Sequence, residues 1–215
     1  MSGLAAHAPA AFALGFALGA APGPVQLLLL AESARRGFAG GLRVMLGANG
    51  TLLLVMLALA LGFSAVQPGE EMLDVLRVTG GAFLVWLGLQ ELVALRRETR
   101  SGLDRPAGLR GSLGPTALGV VAVVLNPGAW IFFATTAASV AADAAADGGR
   151  AAALLAALAM TAGVSASDSL FTILGSGGRR LVGDRGLRVV RAILALLLCA
   201  IGAAFVLQGI DSGRS

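Results

Sequence analysis

Apolar residues run in blocks along this chain, and each block is about as long as a membrane is thick. Runs of about 20 residues, enough to cross a hydrocarbon core of about 30 Å, fall near 10–33, 40–64, 72–95, 114–141, 151–175 and 187–209. Lipid offers an open backbone no hydrogen bonds, so all six are predicted to be helices. Two of the six carry their own breakers. The first contains "GAAPGPVQLLLL", with Pro22, Gly23 and Pro24 in succession, and the fourth contains "LNPGAW", with Asn126, Pro127 and Gly128. Each break falls about ten to thirteen residues into its span, about 15–20 Å at helical rise and so near the midplane. Proline in mid-helix removes an amide donor and leaves carbonyls without helical partners. Irregular backbone at that depth is tolerated where it is packed in protein or lines a wet cavity. One such break would be read as a kink, whereas two at matched positions predict a ligand site.

The longest polar stretch, "RRETRSGLDRPAGLRGS" from Arg96 to Ser112, divides the spans into two sets of three. The expected organisation is a half over 1–98, a linker over 99–112 and a second half over 113–215. An odd number of spans per half makes the second half enter from the opposite side, so related halves would be inverted repeats, as in many secondary transporters. No strong identity links the halves residue by residue; the repeat rests on breaks and hydropathy. Thirteen of the sixteen arginines lie in the first, third and fifth connections, while Glu70, Glu71, Asp74, Asp143 and Asp147 collect at the other ends. The positive-inside rule makes the arginine-rich connections cytoplasmic and puts both termini outside. The expected location is the bacterial cytoplasmic membrane. Met1 to Ala11 holds no basic residue, so the first span lacks the charged region of a signal peptide and is kept as a span.

Composition narrows the chemistry. Apolar residues make up 57% of the chain and charged residues 13%, against the more even mixture of soluble domains. Every basic residue is arginine and the net charge is +4, with no basic stripe of the kind nucleic acid requires. Without lysine there is no P-loop. Hydrolase motifs are missing as well, so the chain is not expected to be an enzyme. Cys199 is the sole cysteine and His7 the sole histidine, which argues against a disulfide, a metal site or any cofactor.

Asp168 is the sharpest single residue. In the fifth span Thr161, Ser165, Asp168 and Thr172 follow at i, i+4, i+7 and i+11, one helical face that should point into the bundle. An ionisable group inside a membrane is costly and is expected to serve function by moving a proton or holding a cation. The competing reading pairs it with Arg43 or Arg179 near the cytoplasmic end. Asn49, in the second span, lies at comparable depth and is expected either to share a cavity with Asp168 or to bond across helices. Glycines such as Gly37, Gly40, Gly41, Gly47, Gly50, Gly80, Gly81 and Gly88 are expected to serve close helix packing.

The segments "GFALGAAPGPVQLLLLAESARRGFAGGLRVMLGANG", "GGAFLVWLGLQEL" and "GVVAVVLNPGAWIFFATTAAS" resemble, in that order, the LysE/RhtB family of amino-acid exporters. The resemblance implies export of amino acids or related small metabolites, driven by the proton gradient. Pro22, Gly23 and Pro24 match its first-span motif, and Asn126 and Pro127 match the start of its N-P-K motif. Gly128 replaces the usual lysine, and Asn49 stands where many members carry an aspartate. The expected partners are a small-molecule substrate, protons and the bilayer, with a homodimer left open. The translocation residues expected are Pro22, Gly23, Pro24, Asn49, Asn126, Pro127, Ser165 and Asp168. Alternatives weighed beside this are a metal-cation exporter of the same superfamily and a non-transporting membrane scaffold; a thiol-electron carrier would need a second cysteine.

Overall fold

A computed structural model describes residues 6–21, 23–62, 69–101 and 113–212. Among them every regular element is helical: α1 (Ala8–Ala20), α2 (Pro24–Arg36), α3 (Phe38–Ala60), α4 (Glu70–Ser101), α5 (Pro115–Val124), α6 (Pro127–Phe132), a π-helical turn (Phe133–Ala137) and α7 (Ala138–Ser212). The fold is all-α, as the apolar blocks predict.

α7 is not one rod, because Gly148, Gly149 and Gly183 interrupt it with non-helical torsions. Its limbs run over 138–147, 150–182 and 184–212. Three of the helix joints share one backbone solution: Gly37 has φ 74° and ψ −174°, and Gly149 and Gly183 have φ 66° and 64° with ψ −167° and 179°. That region is open essentially only to glycine, so these glycines set where one helix stops and the next begins.

Four stretches are long and apolar enough to cross a membrane: Phe38–Ala60, Glu70–Arg96, Pro127–Gly177 and Arg188–Asp211. The pair α1 and α2, bent by 66°, adds a fifth if taken as one span. Pro127–Gly177 has 51 residues, more than twice the roughly 20 that one crossing needs, and it contains the Gly148–Gly149 joint. Of the expected linker over 99–112, residues 102–112 lie outside the described residues.

The second limb of α7 lies at the centre, packed against α1, α2 and α3. Leu28, Leu29, Val44, Leu118, Phe133 and Met160 form the main apolar core. A smaller cluster of Leu27, Ala31, Leu84, Leu194 and Leu198 ties α2 and α4 to the last limb. Leu54, Leu174 and Leu207 point outward with more than half their surface exposed, an exterior suited to lipid and costly in water.

Candidate functional site

The site is built around two helix starts. Pro24 occupies the first turn of α2, where its missing amide costs nothing, and Gly23 precedes it in an extended conformation. Pro22 lies outside the described residues. The first helical bond of α2 runs from Leu27 N to Gly23 O at 3.0 Å. Gln26, in that first turn, is buried. Its Nε2 donates to Asp168 Oδ1 at 3.2 Å, while its Oε1 lies 3.2 Å from where a side chain on Gly23 would begin.

The second start repeats this economy at α6. α5 ends at Val124, and Asn126 caps the next helix by accepting from Gly128 N at 3.0 Å. Pro127 follows the cap and is buried. The carbonyl of Val124, which loses its helical partner at this point, accepts instead from Trp130 Nε1 at 2.8 Å. Directly beyond lies the π-helical turn, with Phe133 and Ala137 buried. Such turns inside helices recur at functional sites because they re-aim the side chains around them.

Asp168 projects from the second limb of α7 and is 0% exposed. Gln26 holds Oδ1; Oδ2 is buried without a hydrogen-bond partner. Of the two arginines weighed for it, Arg43 is exposed, and the Arg179 side chain lies outside the described residues. Asn49 Nδ2 donates to Ser165 Oγ at 3.1 Å. Thr161, Asp168 and Thr172 are buried and Ser165 is half-buried. Thr161 and Thr172 turn their hydroxyls onto carbonyls of their own helix, at 2.9 Å in each case.

These groups surround a cavity of about 280 Å³, just below the usual range of ligand pockets, about 300 to 1,000 Å³. Of the residues expected from sequence, Gly23, Pro24, Asn49, Asn126 and Asp168 line it. Ser165, bonded to Asn49, and Pro127, next to Asn126 in the chain, are not among the lining residues. Gly128 lines it too; a side chain there would begin 3.3 Å from Asn126 Oδ1.

Gln26 was not singled out from sequence, although it is the one polar residue between the Pro-Gly-Pro break and the leucine run. Two buried carboxylates were also missed. Glu32 is fully buried at the end of α2, bonded to Arg35 at 3.0 Å and Arg36 at 3.1 Å. Glu91 on α4 meets Arg191 on the last limb at 2.7 Å, both buried. The signal for each was an acidic residue inside an apolar block.

A set of polar groups drawn from four helices around a cavity between two helix starts suits a membrane translocator, and the comparisons agree. Residues 16–209 match the family model for the LysE type translocator. The chain belongs to this family. It is therefore a multi-pass membrane protein of a family whose members are transporters rather than enzymes. An uncharacterized membrane protein of Pseudomonas aeruginosa is 38% identical over 81 residues, which cover 37% of this chain and 38% of that protein. The match thus spans well under half of that relative's length. No solved structure matches the chain.

Proposed function

We propose that this translocator exports amino acids or related small metabolites across the cytoplasmic membrane in exchange for protons. The observation that carries the reading is the Asp168 carboxylate: fully buried, held through one oxygen by Gln26, and leaving the other without a partner at the wall of a cavity. A buried charge is retained only where something meets it. A proton and the ammonium of a substrate, taken in turn, are the ligands that would meet it.

The reading takes α1 with α2 as one broken span and α5 with α6 and the first limb of α7 as another, which makes six spans. Support for inverted halves over 1–98 and 113–215 comes from the joints. A proline opens the second segment of each broken span, and Gly37 and Gly149 close those spans with the same glycine-only torsions. The linker over 99–112 is then cytoplasmic and both termini lie outside. Pro22, Gly23, Pro24, Asn126 and Pro127 shape the junctions, and Asn49, Ser165 and Asp168 supply polar groups between them. Rocking of one half against the other would open the cavity to each side in turn.

The test is a comparison of extracellular metabolites between strains that overexpress and strains that lack the protein, followed by flux into proteoliposomes for each compound that changes. A rise in one or more amino acids or close derivatives on overexpression, reproduced as proton-dependent flux, is the expected result. An unchanged pool would overturn the reading.

A further inference from the structure

The charge of the cavity is more selective than its size. Of the two helix starts that face it, where an anion would ordinarily be met by free amides, the one at α6 is capped: Asn126 Oδ1 takes Gly128 N at 3.0 Å. The start of α2 has no side-chain cap, and Gln26 Oε1 stands beside it, 3.2 Å from where a side chain on Gly23 would begin. Among the nearby side-chain donors, Trp130 Nε1 is committed to Val124 O, and Gln26 Nε2 and Asn49 Nδ2 each give one N–H, to Asp168 and to Ser165; none of the three carries a charge. The rest of the wall is apolar, with Leu52, Val123, Phe132 and Val164 among it.

Among the described residues lining the cavity, Asp168 is the one titratable group. Among the described side chains, the charged groups on the elements around it are engaged or exposed; on α4, Arg77 meets Asp74, and Glu70, Glu71 and Arg96 are exposed. Arg35 and Arg36 of α2 hold Glu32, Arg43 of α3 is exposed, and Arg191 of the last limb holds Glu91. His7, ahead of α1, meets Asp147 of α7 at 2.8 Å. Asp143, Arg150, Arg185, Arg188 and Asp211 are exposed. A ligand carboxylate would therefore face the Asp168 carboxylate with no cationic side chain among the described lining residues, in surroundings that magnify the repulsion. A ligand ammonium would find Oδ2.

We propose that the site takes a monovalent organic cation, a small amine or an amino acid whose carboxylate is blocked as an amide or ester, in alternation with a proton. The proposal rests on the proton-exchange reading above and names its substrate class. One carboxylate oxygen cannot hold an ammonium and a proton together. Each cation released outside is replaced by one proton, which is carried in and released inside as the next cation binds. One positive charge leaves as one enters, so the exchange is electroneutral: it responds to the pH gradient and not to membrane voltage.

The experiment uses the full chain in liposomes under an imposed pH gradient, with voltage clamped by potassium and valinomycin. The probes are each neutral proteinogenic amino acid and its own carboxamide, and protein-free liposomes give the passive leak of the amides. At least one carboxamide should move at least about tenfold faster than its parent acid, at a rate unchanged by the clamp and reduced to the leak by Asp168→Asn. Proton-coupled flux of free amino acids that equals or exceeds their carboxamides, or that follows voltage, overturns the cation proposal and leaves the exporter reading standing. Absence of proton-coupled flux for both sets overturns both.

Discussion

At the scale of single residues, the buried polar contacts carry unequal weight. Gln26 is the sole hydrogen-bond partner of Asp168 Oδ1 among the described side chains, and a bond to a charged group contributes about 1.5–3 kcal/mol. Gln26→Leu should therefore lower proton-coupled flux about tenfold or more while the protein still reaches the membrane, as flux per reconstituted molecule would show. The Glu91–Arg191 pair, buried on both sides at 2.7 Å, is a structural matter. Removing one partner of a buried pair costs about 3–5 kcal/mol, so Glu91→Gln should lower the unfolding midpoint in detergent clearly. An unchanged midpoint would show that the pair is screened. Asp168 was legible in the sequence because a lone carboxylate in an apolar face admits few explanations. Gln26 was not, because a single amide next to a turn gives no periodic signal, and its partner lies 142 positions away.

Elements explain why the apolar pattern foretold the helices but blurred their joints. Hydropathy is continuous across Ala20–Pro24 and across Val124–Pro127, so one apolar run covers two helices in each case. The torsions that separate helices at Gly37, Gly149 and Gly183 are properties of single glycines, which no hydropathy window registers. The glycines expected to serve packing divide by contact. A side chain on Gly47 would begin 2.0 Å from Thr116 O, and one on Gly119 would begin 2.1 Å from Val44 O, so α3 and α5 touch backbone to backbone. Gly50 has nothing within 4 Å. Overpacking costs about 1–3 kcal/mol, and Gly47→Ala and Gly119→Ala should each lower thermal stability by at least that much. Gly50→Ala should be neutral, or stabilising by up to about 1 kcal/mol from the better helix propensity. Thermal unfolding of the three purified variants separates the two classes.

The whole molecule is a helical membrane protein of a translocator family whose central limb presents Asp168 to a cavity between two helix starts. The proposed orientation, with both termini outside, rests on the arginine distribution. In a Cys199→Ala background, a cysteine at Ala6 should react with an impermeant maleimide added to intact cells, and one at Ser112 should react only after the cells are opened. The reverse pattern would invert the topology. The most direct measurement of the central claim is proton-driven flux through Asp168→Asn, reconstituted at the same density as the unaltered protein and challenged with a pH jump. The account predicts that proton-coupled export falls to the leak of empty liposomes while the variant remains folded and membrane-inserted. Undiminished proton-dependent export by Asp168→Asn would contradict it.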